Sequence, residues 1–162
     1  MGKLKPRHLE DDERSLVREL YAPLRRFACV TGPPEVDPDD LVQDAFLQAL
    51  RRGPLADLES PLAYLRQIVL HLASNHRRRL GRRRRAMSRL GDRTQVDPAY
   101  PSDLADLMAL SVEARAVLYL SEVEGYRFGE IAAILGCSES AARQRASRAR
   151  NQLREVLAKE GT

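Results

Sequence analysis

Apolar residues recur at helical spacing in three segments of the N-terminal half, so the sequence predicts three amphipathic helices there. The first spans about Asp12 to Cys29 and contains Pro23, which should kink it because proline lacks a backbone N–H. The second spans Pro38 to about Arg52, and the third begins near Pro61. The predicted buried stripes are Leu16, Leu20, Tyr21, Leu24, Phe27 and Ala28; Leu41, Val42, Ala45, Phe46, Ala49 and Leu50; and Leu62, Leu65, Ile68, Val69 and Leu72.

Helix-starting residues stand in front of the second and third helices. Asp37 and Ser60 each have a side-chain oxygen that can cap, and each is followed by a proline, whose fixed φ suits the first helical position. A loop from Gly53 to Glu59 separates these two helices, and the Gly-Pro pair at its start marks the break.

The sequence of the C-terminal half predicts four shorter helices. One spans Asp103 to Leu110, and a second, capped by Ser111, continues through Val123. In the second, Val117, Leu118, Leu120 and Val123 form the predicted core stripe. The linker between the two halves, Gly91 to about Pro101, is polar and carries no helical period.

A helix-turn-helix pattern follows. Ile131, Ala132 and Leu135 lie on one face of a short helix, and Gly136 offers the left-handed conformation of a sharp stop. Ser138 is a good cap for the next helix. Arg127 occupies the cap position of the first helix, where a side-chain acceptor is usual, so this start should be less well capped.

The second helix of this pattern divides into two faces. Ala142, Ala146, Ala149 and Leu153 form a small-residue stripe that can pack closely against the preceding helix. The opposite face carries side chains that pair with base edges and phosphates when a helix enters the major groove. These candidate duplex-binding residues are Ser140, Arg143, Gln144, Ser147 and Arg148. The alternative is an arginine-rich surface that only contacts solvent.

Charge is segregated along the chain. The net charge is only +4, but residues 60–91 contain no acidic residue, and eight arginines cluster within residues 77–89. Such a run favours a polyanion partner, and nucleic acid is the commonest one. The arginines are Arg77, Arg78, Arg79, Arg82, Arg83, Arg84, Arg85 and Arg89.

Composition excludes several classes of protein. The 43% hydrophobic and 31% charged content, with no long apolar run or apolar N-terminal signal, predicts a cytoplasmic globular protein. Cys29 and Cys137 are far apart and belong to no metal-binding motif, so we expect small buried apolar side chains at both positions.

Asp39, Asp40 and Asp44 are clustered carboxylates of the kind that can bind a metal ion. Helix capping explains the first two carboxylates without a metal, and no catalytic motif surrounds them. A metal-dependent nuclease is therefore set aside, and we expect no catalytic residues, no metal and no cofactor.

Two long stretches carry a family resemblance. LSVEARAVLYLSEVEGYRFGEIAAILGCSESAARQRASRARNQLRE resembles the fourth conserved region of bacterial sigma-70 family sigma factors. DPDDLVQDAFLQALRR, followed by SPLAYLRQIVLHLASNHRRR, is similar to the second conserved region. The short form is similar to the extracytoplasmic-function (ECF) group.

The resemblance implies a role for each surface. The fourth region would read the minus-35 element of a promoter, and the second would grip core RNA polymerase and hold the unpaired minus-10 strand. The implied polymerase-docking residues are Asp40, Gln43, Asp44 and Leu47; the implied minus-10 residues are Tyr64, Arg66, His71, Asn75 and Arg78. In similar short sigma factors, the loop that matches Gly53 to Glu59 forms a pocket for a flipped minus-10 base.

Three of the minus-10 positions depart from the family pattern. Tyr64 stands where the family usually has tryptophan, and His71 and Asn75 stand where asparagine and aspartate are common. These departures affect the details of strand contact and leave the expected architecture intact.

The resemblance thus predicts an all-α, non-enzymatic sigma factor with two small helical domains. Residues 1–90 would form the polymerase and minus-10 domain, 91–102 a flexible linker, and 103–162 the minus-35 domain. The expected partners are core RNA polymerase at its clamp coiled coil, promoter DNA and an anti-sigma factor, without membrane insertion. A stand-alone helix-turn-helix regulator is the alternative, for which the C-terminal half alone would suffice.

Overall fold

The structure, a computed structural model, describes residues 6–91 and 106–160. These residues form six α-helices, one 3-10 turn and one π-helical turn, and the described ranges contain no strand. The predicted all-α fold is confirmed. The predicted linker and the start of the helix expected from Asp103 lie outside the described residues, and 106–108 are helical.

Helix α1 spans Pro6–Thr31 and continues through Pro23 without a break. The kink expected at Pro23 does not end the helix and stays a prediction. Leu24, Phe27 and Ala28, which follow the proline, are completely buried, and this packing outweighs the loss of one backbone hydrogen bond.

Helix α2 spans Pro38–Arg52 and begins as predicted, because the Asp37 carboxylate accepts a hydrogen bond from the Asp39 amide at 2.8 Å. Helix α3 spans Pro61–Arg89. Ser60 precedes it but makes no capping hydrogen bond, so that prediction is wrong. The Ser60 backbone, at φ −137° and ψ 83°, departs from the extended conformation of Asp37 and Ser111, whose side chains do cap.

The buried stripes of α2 and α3 differ from the prediction in detail. Leu50 was expected in the core and is exposed, whereas Leu70 was not expected there and is buried. Leu62 and Leu72 are only half-buried. Helix α3 contacts both α1 and α2 and also the C-terminal half, so its buried surface is wider than one amphipathic stripe.

The C-terminal half begins with α4, Val112–Leu118, which Ser111 caps by accepting from the Ala114 amide at 3.1 Å. The following residues, Tyr119–Val123, form a π-helical turn. The wider π turn rotates the last residues away from the α-helical register. Val123 is therefore 70% exposed, although the sequence predicts it in the core.

Helices α5, Phe128–Leu135, and α6, Glu139–Glu160, form the predicted helix-turn-helix. Gly136 ends α5 with φ 64°, the left-handed conformation that favours glycine. Ser138 accepts from the Ala141 amide at 3.1 Å and so caps α6. At the start of α5, the Arg127 side chain makes no capping bond, as expected for a group without an acceptor, and Glu130 accepts from the Arg127 amide instead.

The two halves pack against each other. Helix α1 contacts α4, and α3 contacts α5, so the buried side chains form one continuous cluster. The ring of Phe27 in α1 lies 6.1 Å from the ring of Tyr119 in the π turn. Polar contacts also cross this interface, among them an ion pair between Arg66 and Glu124.

The cysteines do not match the prediction. Cys29 is exposed on α1 and Cys137 is half-buried. Cys29 lies in the same turn as the buried Phe27 and Ala28 but faces away from the core, where Arg25 donates to its sulfur at 3.7 Å.

We predict that Gly32→Ala lowers the free energy of unfolding by about 1 to 3 kcal/mol. A Cβ at Gly32, just after α1, would lie 2.7 Å from the Ala28 carbonyl oxygen and 2.7 Å from Leu41 Cδ1. Urea denaturation is the measurement. The control is Gly81→Ala in α3, where a Cβ would meet no atom within 4 Å; this change should raise the free energy of unfolding by up to about 1 kcal/mol. Equal stability of the two variants would contradict the predicted crowding at Gly32.

Candidate nucleic-acid and protein interfaces

The predicted duplex-binding residues share one face of α6. All five are exposed, and they follow the i, i+3, i+4, i+7, i+8 spacing of a single helix face. Ala142, Ala146 and Ala149 on the opposite face are buried against the rest of the C-terminal half. The exposed residues are Ser140, Arg143, Gln144, Ser147 and Arg148. This face is thus free to enter a groove while the alanine stripe holds the helix in place.

Arg143 is held by two neighbours that the sequence reasoning missed. Its Nη2 donates to Glu139 Oε1 at 2.6 Å, and its guanidinium carbon lies 4.9 Å from the centre of the Phe128 ring. The i, i+4 spacing of Glu139 and Arg143 was a usable signal for the ion pair. The Phe128 contact depends on how α5 crosses α6, which no sequence period reports.

Arg143, Glu139 and Phe128 line a shallow depression together with Tyr126 and Gly129. The guanidinium is exposed to solvent and yet fixed in direction, with an aromatic ring beneath it. An arginine that is oriented in this way loses less side-chain entropy when it pairs with a base or phosphate.

The predicted docking residues share the exposed face of α2. Asp40, Gln43, Asp44 and Leu47 are all exposed, and Leu47 has 53% of its surface accessible. Leu50, at 40%, extends the apolar part of this surface by one turn. Asp40, Gln43 and Asp44 border a shallow depression that also includes His76 of α3. The surface thus combines carboxylates with exposed leucines.

Asp39 fixes the start of α2 against α1. Its Oδ1 accepts from the Tyr21 hydroxyl at 2.5 Å and from Arg25 Nε at 3.0 Å. The pKa of the Asp39 carboxyl is lowered, first by the Tyr21 hydrogen bond and then by that from Arg25. The same Tyr21–Asp39 bond is the main cause of the raised pKa of Tyr21. Asp39 therefore has a structural role, next to the docking surface.

The predicted minus-10 residues on α3 do not all reach the surface. His71, Asn75 and Arg78 are exposed, and Tyr64 is half-buried with its hydroxyl accepting from Arg52 at 3.2 Å. Arg66 is only 1% exposed, so its predicted position on an open face is wrong.

Arg66 is buried because the C-terminal half covers it. Its Nη2 donates to Glu124 at 2.5 Å, and its guanidinium carbon lies 5.3 Å from the Phe27 ring centre and 5.1 Å from that of Tyr126. Sequence periodicity around Arg66 could not reveal partners that lie 58 residues away.

The arginine cluster of α3 remains open. Each of its eight arginines is exposed, and only Leu80 and Gly81 between them are partly covered. Arg84 forms an ion pair with Glu35. A helical surface with this density of guanidinium groups suits phosphate contacts.

The Gly53 to Glu59 loop is anchored at Leu55. Leu55 is fully buried within the 3-10 turn Leu55–Asp57, and its amide donates to Glu13 at 2.6 Å. Ala56, Asp57 and Glu59 are exposed. The loop therefore presents a fixed polar edge beside the start of α3.

Among the residues that the structure describes, no group of three or more histidine, cysteine or acidic side chains is arranged to hold a metal ion. None of the helices in the described ranges is long and apolar enough to cross a membrane.

Family models match both halves of the chain. Sigma-70 region 2 matches residues 14–83, and sigma-70 region 4 matches residues 107–153. The chain is 32% identical to ECF RNA polymerase sigma factor SigM of Mycobacterium tuberculosis over 148 residues, covering 88% of this chain and 75% of the relative. It is 34% identical to RNA polymerase sigma factor CarQ of Myxococcus xanthus over 128 residues, covering 74% of each.

Two solved structures are also similar. Sigma factor RpoE, in a co-crystal structure with the anti-sigma factor NepR from Bartonella quintana, matches with a TM-score of 0.69 at 25% identity over 91% of this chain and 97% of that one. CnrH, in complex with the cytosolic domain of CnrY, matches with a TM-score of 0.60 at 32% identity over 92% of this chain and 89% of that one. The chain belongs to the sigma-70 family. Within that family, it is an RNA polymerase sigma factor of the ECF group.

We predict that Asp39→Asn makes the melting temperature less sensitive to acid. Because the folded-state pKa of Asp39 is lowered, its stabilisation is complete above the ordinary aspartate pKa of about 4 and is lost as pH falls through the lower folded-state pKa. The variant should therefore melt earlier than wild type at neutral pH, and the two should converge in acid.

Calorimetry across this pH range is the measurement. Asp57→Asn, the same change at an exposed loop position, is the control and should follow wild type. Parallel wild-type and Asp39→Asn curves would contradict the role of this carboxylate.

Proposed function

We propose that this chain gives promoter specificity to core RNA polymerase through three surfaces, each on a different helix. The docking surface on α2 binds the polymerase clamp, the α3 surface holds the unpaired minus-10 strand, and the exposed face of α6 reads the minus-35 duplex. The observation that carries the proposal is the order of the two family matches, region 2 then region 4, on the halves that present these surfaces.

The proposed domains keep the predicted boundaries. Residues 1–90 contain the docking and minus-10 surfaces, 91–102 connect, and 103–162 contain the minus-35 surface. The chain contributes recognition and leaves catalysis to the polymerase, which also sets its place of action in the cytoplasm. RpoE and CnrH were each solved with a second protein, and RpoE's is an anti-sigma factor, which supports an anti-sigma factor as a further partner.

The α2 surface suits a protein partner better than DNA. Its carboxylates would repel phosphates, whereas exposed leucines beside charges are typical of a protein interface. The α3 and α6 surfaces have the opposite character, because their charged residues are arginines.

The minus-10 surface combines single-strand and backbone contacts. Tyr64 offers a ring for stacking, His71 and Asn75 offer polar groups for base edges, and Arg78 begins the run of exposed arginines that can follow phosphates. Holding unpaired bases in this way offsets the stacking energy lost when the duplex opens, so no ATP is needed. The anchored Gly53 to Glu59 loop lies at the start of α3, where it can border one flipped base.

Reconstituted transcription tests the proposal. The chain is added to core RNA polymerase on a fragmented genomic template, and the start sites of the RNAs are sequenced. We expect starts that share minus-10 and minus-35 elements and that disappear without the chain. Site-specific duplex binding by the free chain, with no effect on transcription by core polymerase, would instead favour the stand-alone regulator.

We predict that Asp44→Lys combined with Leu47→Lys abolishes holoenzyme assembly without unfolding the chain. Both side chains are exposed, so the core is untouched while a carboxylate and an apolar contact are replaced by positive charge. Gel filtration with core polymerase measures assembly, and circular dichroism measures helicity.

Ser15→Lys combined with Glu19→Lys is the matched control. It makes the same total change of charge at two exposed positions of α1. This control should still assemble. Assembly by the Asp44/Leu47 variant would show that the docking surface is elsewhere.

We predict that Arg143→Ala relaxes sequence preference in the minus-35 element. Loss of an arginine that reads a guanine costs about 1 to 3 kcal/mol at that base, whereas loss of a phosphate contact weakens all sequences alike. The same comparison for Arg148→Ala shows whether Arg148 reads a base or contacts a phosphate. The measurement is transcription from promoters that differ only in the upstream element.

Arg18→Ala serves as the control, because Arg18 is an exposed arginine of α1, outside the C-terminal half. Its promoter preferences should equal those of wild type. Unchanged output from all promoters for Arg143→Ala combined with Arg148→Ala would remove both residues from the reading surface.

A further inference from the structure

The face of α6 that is proposed to read the minus-35 duplex has a carboxylate at its edge. Glu139 is the first residue of α6, and residues 140–154 after it contain five arginines and no acidic residue. The Glu139 side chain is 54% exposed, so its charge is not hidden from a ligand of this face. A carboxylate repels the phosphates that the neighbouring arginines attract. Attraction to DNA alone therefore does not account for Glu139.

Helix stability gives only a weak reason for a glutamate at this position. A carboxylate in the first turn interacts favourably with the helix dipole, and an exposed ion pair adds little because both groups stay hydrated. Ser138 already caps α6 by accepting from the Ala141 amide at 3.1 Å. The start of α6 is therefore capped without Glu139.

Glu139 and Phe128 hold Arg143 from two sides. Glu139 Oε1 accepts from Arg143 Nη2 at 2.6 Å, and the guanidinium carbon lies 4.9 Å from the centre of the Phe128 ring. The carboxylate fixes one end of the guanidinium group, and the ring supports the group from one side. Because the Arg143 side chain is 60% exposed, these two contacts and not burial determine its direction.

The start of α5 leaves room for the carboxylate. A Cβ at Gly129 would lie 3.4 Å from Glu139 Oε2, so the missing side chain lets Glu139 lie against this turn. Two acidic residues line the depression here, and each has its own partner. Glu130 accepts from the Arg127 amide at 2.8 Å, whereas Glu139 accepts from Arg143. The carboxylate that directs Arg143 is therefore separate from the one that caps α5.

The pairing makes Arg143 better suited to a base than to a phosphate. The pair of Arg143 and Glu139 has no net charge, so it gains little by displacing the counterions of a phosphate. A guanine edge is uncharged and presents two acceptors, O6 and N7, which one arginine can bind together. Glu139 accepts from one nitrogen of the guanidinium group, and the other donors remain for such an edge. Arg143 also lies near the N-terminal end of α6, the part of a recognition helix that contacts bases.

We infer that Glu139 is a specificity-determining residue, which acts with Phe128 to direct Arg143 toward a guanine of the minus-35 element and away from the phosphates. Glu139 and Phe128 are positioning residues, because they act through Arg143. The inference rests on the proposed function of α6, and it adds the base that Arg143 reads and the cause of that preference.

The experiment measures transcription by holoenzyme on promoters that carry each of the four bases in turn at every position of the upstream element. Glu139→Gln removes the charge and keeps the size of the side chain, and Phe128→Leu removes the ring. Glu113→Gln is the matched control, because Glu113 is an exposed glutamate in the first turn of α4 and interacts with a helix dipole in the same way. Circular dichroism verifies helicity.

We expect Glu139→Gln and Phe128→Leu each to reduce the preference for guanine about two- to five-fold, at the one position that Arg143→Ala also affects. In an Arg143→Ala background, Glu139→Gln should change no preference further, because its effect passes through Arg143. Phe128→Tyr, which keeps the ring, should retain the preference that Phe128→Leu loses. Glu113→Gln should match wild type.

Unchanged base preferences in folded Glu139→Gln would overturn the inference. An equal loss of output from every promoter would also overturn it, because that is the result expected of a purely structural role. A changed preference at another position, or a further change in the Arg143→Ala background, would show that Glu139 contacts a base itself and is no positioning residue.

If Phe128→Leu loses helicity, Glu139→Gln alone and in the Arg143→Ala background decides the matter. Failure of the proposed function is detected separately, because wild-type holoenzyme would then show no dependence on the upstream element.

Discussion

The carbonyl groups at the end of α1 impose the constraint on which the arrangement of the whole chain depends. Backbone acceptors that are buried without donors cost free energy, and Thr31 and Gly32 are buried. Arg115 satisfies the end of α1 from a position 84 residues later in the chain. The helix end is therefore completed only when the C-terminal half is in place.

Apolar and polar contacts stabilise different parts of this molecule. Within each half, alanine and leucine stripes bury helix faces, so each half has packing of its own. Between the halves, a few charged side chains bind carbonyls and one carboxylate, alongside the Phe27–Tyr119 contact. Each half therefore has a core of its own, and polar side chains add to the contacts that join the two halves.

The sequence predicted the local structure well where the cause is local. Asp37, Ser111 and Ser138 cap helices, and Gly136 ends one, because each acts within a few residues of its own position. The faces of α2 and α6 could be predicted for the same reason, since a 3.6-residue period determines which side chains point outward.

The errors arise from distant contacts or altered register. Arg66 is buried because the C-terminal half covers a part of α3 that lies outside its amphipathic stripe, and periodicity cannot report a second partner. Val123 is exposed because the π turn shifts the register after Leu118. The ion pair of Glu139 with Arg143 could be predicted from their i, i+4 spacing. The contact of Arg143 with Phe128 could not, because it depends on how two helices cross.

The distance between the two halves, measured with and without the Arg115 contacts, tests the central claim most directly. Fluorophores can be placed at the exposed Cys29 and, in a Cys137→Ser background, at the exposed position 152 by Gln152→Cys. Energy transfer should be high in the wild-type chain and should fall in Arg115→Gln, which loses the charged contacts to the end of α1. Low transfer in the wild-type chain, or unchanged transfer in folded Arg115→Gln, would contradict the account.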